Sequence, residues 1–205
     1  MLAAGVDPSE AARRVPVQVL AAALGAPDPV SAPVDAAALA TPYATGVVGP
    51  VADADAVDRA AARRLGADPA DQPRAVAVLD AQLLVQAHAA TGGLVVEVLR
   101  RAAGSPGAST RQLIETVLRD APPVRSTRRV APLGGSARAA AEHADPAEPA
   151  DRLVELRLDG PDGDATGGAP PRVLAFGAGP RRCPASEHAV AIAAAVVDVL
   201  REPAC

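Results

Sequence analysis

Between Pro73 and Pro106 no proline occurs, in a chain of 205 residues that carries 21 of them. The interval up to Ala103 is predicted as one helix of roughly 45 Å at 1.5 Å per residue, stopped by Gly104 and Pro106. Its middle, LLVQAHAATGGLVV, is apolar nearly all round, which places it in the centre of the fold. Gly92 and Gly93 lie inside it, each costing about 1 kcal/mol relative to Ala, so something must need the room they leave.

With one Phe, one Tyr, one Met and no Trp, the core must be built from Ala, Val and Leu, which favours helices. Every basic residue is Arg, and the formal net charge is -4. That balance argues against a nucleic-acid binder relying on phosphate neutralisation. Two cysteines make no disulfide framework in a chain of this size, so a reducing cytosol is the simplest compartment. The opening MLAAGVDPSE lacks a basic segment followed by an apolar one, so no secretory signal is expected. No uninterrupted, strongly apolar run of about 18 residues suggests a membrane span.

Proline and glycine divide the remainder. Asp7-Pro8 reads as an N-cap and first helical residue, with a helix closed by Gly25. Residues 26 to 50 read as a weakly patterned connection, and Asp53 to Leu65 as a helix ended by Gly66. Ser109 and Gln112 form a capping box for a helix running to Arg119, which Pro122-Pro123 ends. Residues 131 to 172, rich in Gly, Pro and Asp, read as an irregular region in which only Leu153 to Leu158 alternates like a strand. Pro184 to Arg201 reads as a last helix, mostly apolar and hence buried. No internal repeat is visible.

One stretch carries chemistry: Leu174-Ala-Phe-Gly-Ala-Gly-Pro-Arg-Arg-Cys-Pro-Ala185. Gly177 and Gly179 let the backbone turn tightly and approach a flat ligand. Cys183 follows just ahead of a helix start, whose free N–H groups favour a thiolate. A thiolate on a loop is one of the few protein ligands of haem iron, and Arg181 suits pairing with a haem propionate. By contrast, His88 reads as a satisfied core or pocket residue with no metal-ligand spacing around it. Cys205, at the chain end, reads as an exposed thiol without a role. Arg119 and Arg152 can also be read as ordinary surface cations, the Pro-Pro context making Arg119 the stronger functional candidate of the two.

The pattern Phe-Gly-x-Gly-x-Arg-x-Cys-Pro resembles the cysteine-ligand loop of cytochromes P-450. Upstream segments are similar to that family in the same order. They are Val15 to Pro27, then Leu83 to Val95, which is similar to the oxygen-activating helix of actinobacterial members, then Glu115 to Val130, similar to the Glu-x-x-Arg helix and its Pro-Pro continuation. Asp145-Pro146 and Ala150 to Leu153 faintly resemble the meander. The resemblance implies a mainly α fold corresponding to the C-terminal half of a cytochrome P-450, residues 1–205 forming a partial domain with 131–172 as a meander-like loop.

The resemblance further implies haem b as cofactor, with Cys183 as axial ligand and Phe176, Gly177 and Gly179 shaping the loop beneath it. Arg181 and Arg129 would hold propionates, and Thr91 would be the catalytic hydroxyl. The implied reaction is monooxygenation of a small organic substrate by a cytoplasmic enzyme supplied with electrons by a ferredoxin and its reductase. Departures from the pattern are specific. Ala89 stands at the acid position and Ala90 at the usual alcohol position. Thr116 replaces the glutamate of Glu-x-x-Arg, Glu115 lying about 100° away around the helix. Ala185 replaces a glycine. These losses suit an alternative, a haem-free P-450-like protein that binds and activates a glycosyltransferase, or an inactive fragment.

Overall fold

The computed structural model describes residues 7–45, 74–132, 151–158, 174–177, 179 and 182–202. The first helix, α1 (Pro8–Ala23), begins as its sequence predicts: Asp7 accepts a hydrogen bond from the Ser9 amide at 3.1 Å, and Pro8 opens the first turn. Pro16 lies inside α1 and is buried. It has no N–H to give to the carbonyl of Ala12, one turn earlier.

The expectation of a patternless connection over 26 to 50 is corrected by a second helix, α2 (Ala32–Thr45). Its entry is organised by Asp28, whose carboxylate accepts from the amides of Val30 (3.1 Å) and Ser31 (3.2 Å) and from the Ser31 hydroxyl at 2.6 Å. Those bonds, the Ser31 hydroxyl foremost, hold the Asp28 carboxyl below its ordinary range. The helix predicted over 53–65 lies outside the described residues.

The long proline-free segment is helical throughout, as α3 (Arg74–Gln86), a π turn (Ala87–Thr91) and α4 (Gly92–Ala103). The π turn was not foreseen. A capping box starts α5 (Thr110–Asp120): the Gln112 amide donates to the Ser109 hydroxyl at 3.3 Å, and the Gln112 side chain accepts from the Ser109 amide at 3.0 Å. Two strands follow, β1 (Ser126–Pro132) and β2 (Asp151–Arg157), paired antiparallel with Ser126 opposite Arg157. Only β2 was expected, and both strands intrude on the region read as irregular. The final helix, α6, spans Ser186–Arg201 and so begins later than Pro184.

The described residues are therefore mainly helical with little strand. Their core falls into two clusters. Leu94, Val95 and Val98 of α4 pack with Leu113, Ile114 and Val117 of α5, Ala193 and Val197 of α6, and Ala12 of α1. Leu84 and Ala81 of α3 pack with Val17 and Ala21 of α1 and Ala36 of α2. Burial of α6 is confined to one face, since Val199 is 54% exposed. The start of α3 is similarly open, with Leu79 53% exposed. Among the described residues, Ala75–Ala103 alone is long and apolar enough to cross a membrane, and 44% of its most apolar 18-residue window is buried inside the fold.

The room left by the two central glycines is taken by protein. A Cβ on Gly92 would stand 3.1 Å from the Arg13 Cα and 3.3 Å from the Ala12 carbonyl oxygen, and a Cβ on Gly93 would stand 2.9 Å from Pro123. The missing side chains thus allow α1 and the segment after α5 to close against α4.

Candidate functional site

The cysteine loop is turned by its glycines as the sequence predicts. Gly177 and Gly179 have φ of 70° and 67°, left-handed values at which any Cβ is strained. The Cys183 amide donates to the Phe176 carbonyl at 2.8 Å, the Gly177 amide to Leu174 at 2.7 Å, and the Arg182 amide to Gly179 at 3.1 Å. These bonds fold the backbone on itself so that Cys183 stands beside Phe176. The thiol is free and half-buried. Ser186 begins α6 only after a turn at Pro184 and Ala185, and Ala185 supplies no side-chain cap. Cys183 is thus set a turn ahead of the helix rather than against its first amides. Arg181 lies outside the described residues.

Loop and central helix share a core. Ala175 and Phe176 pack against the cluster that contains Leu94, Val95 and Val98, and α6 packs on both α4 and the π turn. A π turn holds one more residue per turn than an α-helix, and such turns recur at functional sites because they re-aim side chains. Here it carries His88, Ala89, Ala90 and Thr91. Thr91 is 6% exposed, and both alanines are half-buried. No side chain at 89 or 90 can accept or pass a proton.

His88 departs from the satisfied residue that was expected. Its Nδ1 is buried without a hydrogen-bond partner. Desolvation, and secondarily the charge of Arg13, pushes its pKa below the ordinary histidine value. The signal that could have found it was positional, a lone imidazole in the one apolar helix that also holds paired glycines.

In α5, Arg119 occupies the expected position but has no glutamate. Its Nη2 donates to the Thr116 hydroxyl at 3.4 Å, while Nε donates to Asp120 at 3.1 Å. The Thr116 hydroxyl in turn donates to the Gln112 carbonyl at 2.8 Å. Glu115 points elsewhere and pairs with Arg111 at 2.9 Å. Arg129 lies in β1 opposite Val154, and Arg152 lies in β2 opposite Ala131. At the mouth of this strand pair an open cleft of about 500 Å³ is lined by Arg125, Ser126, Glu155 and Arg157.

Among the described residues no three His, Cys, Asp or Glu side chains are grouped to hold a metal ion. Cys183 is a single sulfur donor, which suits a metal whose remaining ligands belong to a prosthetic group. No protein-family model, no curated protein and no solved structure matches this chain.

Proposed function

We propose that the chain is a haem-thiolate oxidoreductase of the cytochrome P-450 type, with Cys183 as the axial ligand of haem b. The observation that carries this reading is the closed loop from Phe176 to Cys183, with two left-handed glycines and the amide-to-carbonyl bond between its ends. The residues present fit the group. One half-buried sulfur is offered on an open turn, and a side chain added at Gly179 would meet nothing within 4 Å. Arg181 and Arg129 would hold the propionates, and Phe176, Gly177 and Gly179 would shape the surface beneath the ring.

When bound, haem would supply the oxygen chemistry, with cysteine sulfur favouring cleavage of the O–O bond. The overall reaction consumes a substrate C–H bond, dioxygen, two electrons and two protons, and yields an alcohol and water. A ferredoxin and its reductase would deliver the electrons in the cytoplasm, to a small organic substrate. Thr91 is the hydroxyl left to the central helix for holding a proton near oxygen, because Ala89 and Ala90 carry none.

A second reading is favoured by the pairing around Arg119. With Thr116 in place of a carboxylate, Arg119 bonds an exposed neighbour, Asp120, instead of a buried acid. That arrangement suits a haem-free P-450-like protein that binds and activates a glycosyltransferase. Incubation with haem, followed by the carbon monoxide difference spectrum of the reduced protein, separates the two. A thiolate-type Soret band that Cys183→Ser abolishes supports the oxidoreductase. Failure to take up haem supports the binding protein, and a band that survives Cys183→Ser overturns the ligand assignment.

A further inference from the structure

The close approach of α1 to the central helix coincides with an unpaired ring nitrogen. His88 precedes Gly92 by about one helical turn, and at Gly92 the α1 backbone, at Arg13 and Ala12, comes within 3.1 and 3.3 Å of where a Cβ would stand. The His88 imidazole is near enough to Arg13 to feel its charge. Its Nδ1 is shielded from water and bonded to nothing.

A neutral imidazole tolerates this place. With the proton on Nε2, Nδ1 offers only a lone pair, which needs no donor to remain where it is. Protonation changes both counts. Nδ1 becomes an N–H with no acceptor, a buried donor left unmade, and a second cation is placed beside Arg13.

The other charged groups on elements packed against the π turn do not relieve that. On α1, Glu10 pairs with Arg14. On α4, Glu97 pairs with Arg100 and Arg101. Asp35 of α2 and Asp80 of α3 have interactions of their own, although one buried oxygen of Asp35, Oδ2, accepts no hydrogen bond, and Glu187 and His188 stand at the exposed start of α6.

The contact of α1 with its neighbours is made by small side chains. The buried face of this helix is Ala11, Ala12, Pro16, Val17 and Ala21, which remove little apolar area from water. Pro16 also withholds one of its internal hydrogen bonds.

We propose that His88 is a pH-sensitive latch: neutral, it lets α1 lie against the π turn and α4, and protonated, it drives α1 off the central helix while the contacts among α4, α5 and α6 persist. Release exposes the imidazole to water, where both ring nitrogens find acceptors. The device does not depend on haem or on any ligand.

Two measurements on the full chain test it. Nuclear magnetic resonance follows the three imidazoles, His88, His143 and His188, from pH 8 to pH 5. His88 is expected to titrate below the ordinary histidine value, and Arg13→Gln is expected to move its titration upward. Amide hydrogen exchange then compares pH 7.5 with pH 5.5 as protection factors. At least a tenfold loss of protection is expected in residues 11–21, with residues 113–118 and 193–197 unchanged.

His88→Gln and His88→Leu should both remove that difference. If one variant does not fold, the other and the wild-type titration still decide. The latch is overturned if His88 titrates at or above the ordinary histidine value, if protection falls equally throughout the chain, or if either folded variant keeps the loss confined to α1.

Discussion

The backbone of Arg13 passes so close to Gly92 that its Cα would be 3.1 Å from any Cβ placed there. The Ala12 carbonyl oxygen would be 3.3 Å from the same Cβ. Pro16 leaves this carbonyl without its helical N–H.

Gly92→Ala therefore sets two effects against each other. Helix propensity favours Ala by about 1 kcal/mol, while overpacking a close crossing costs roughly 1–3 kcal/mol. The obstacle is backbone, which cannot swing aside, so the variant is expected to be less stable by about 1–2 kcal/mol. Gly104→Ala is the control, since its Cβ would meet only the Arg101 carbonyl at 3.7 Å. Chemical unfolding of both variants checks this: Gly104→Ala should match or exceed wild type, and Gly92→Ala should fall below it.

The capping box gives a second expectation. Ser109→Ala removes the acceptor of the Gln112 amide and leaves an N–H at the first turn of α5 unpaired. A loss of about 1 kcal/mol follows from cap removal, read as a lower urea midpoint with an unchanged slope.

A third concerns the clasp that ties the last turn of α6 to the start of α5. Arg201 donates to the carbonyls of Ala108 (3.0 Å) and Pro106 (3.3 Å) and to the Thr110 hydroxyl (3.2 Å), and Thr110 donates to Asp198. Arg201→Ala is expected to cost ~1–2 kcal/mol, given the usual worth of such bonds. Thr110→Val should cost less. A double-mutant cycle should show coupling, because both residues belong to one network.

How much of this was readable in advance follows from where the determining contacts are. Local signals were legible: Asp7-Pro8, the Ser109–Gln112 box, the long helix and the turns at Gly177 and Gly179 all depend on neighbours within a few residues. The helix at Ala32–Thr45 was obscured because Ala carries almost no periodic signal, and its Pro33 sits in the first turn, where proline is acceptable. The strand at Ser126–Pro132 depends on a partner strand that begins at Asp151, which no local pattern names. The glycine pair was correctly singled out, but its reason lies in α1 and Pro123, far off in the chain. At the candidate site, Cys183 and its loop were evident from type and spacing. The unpaired nitrogen of His88 depends on what surrounds it, and the sequence carries no record of that.

The last expectation concerns acid stability and separates Glu97 from His88. The Arg100 side chain, bonded at 2.6 and 2.9 Å, and secondarily Arg101 at 3.5 Å, hold the Glu97 carboxyl below the usual glutamate range. A depressed acid contributes stability that is full above its unfolded value of 4.5 and is lost as pH falls through the folded value. His88 is lowered too, but its neutral form is the one the fold prefers. Its contribution is full above 6.5 and falls away as pH drops from there toward the folded value. Urea midpoints of the wild type should therefore decline in two steps, one below pH 6.5 and one below pH 4.5. His88→Gln should flatten only the first step and Glu97→Gln only the second. If Glu97→Gln instead flattens the upper step, the division of acid sensitivity between the two residues is wrong.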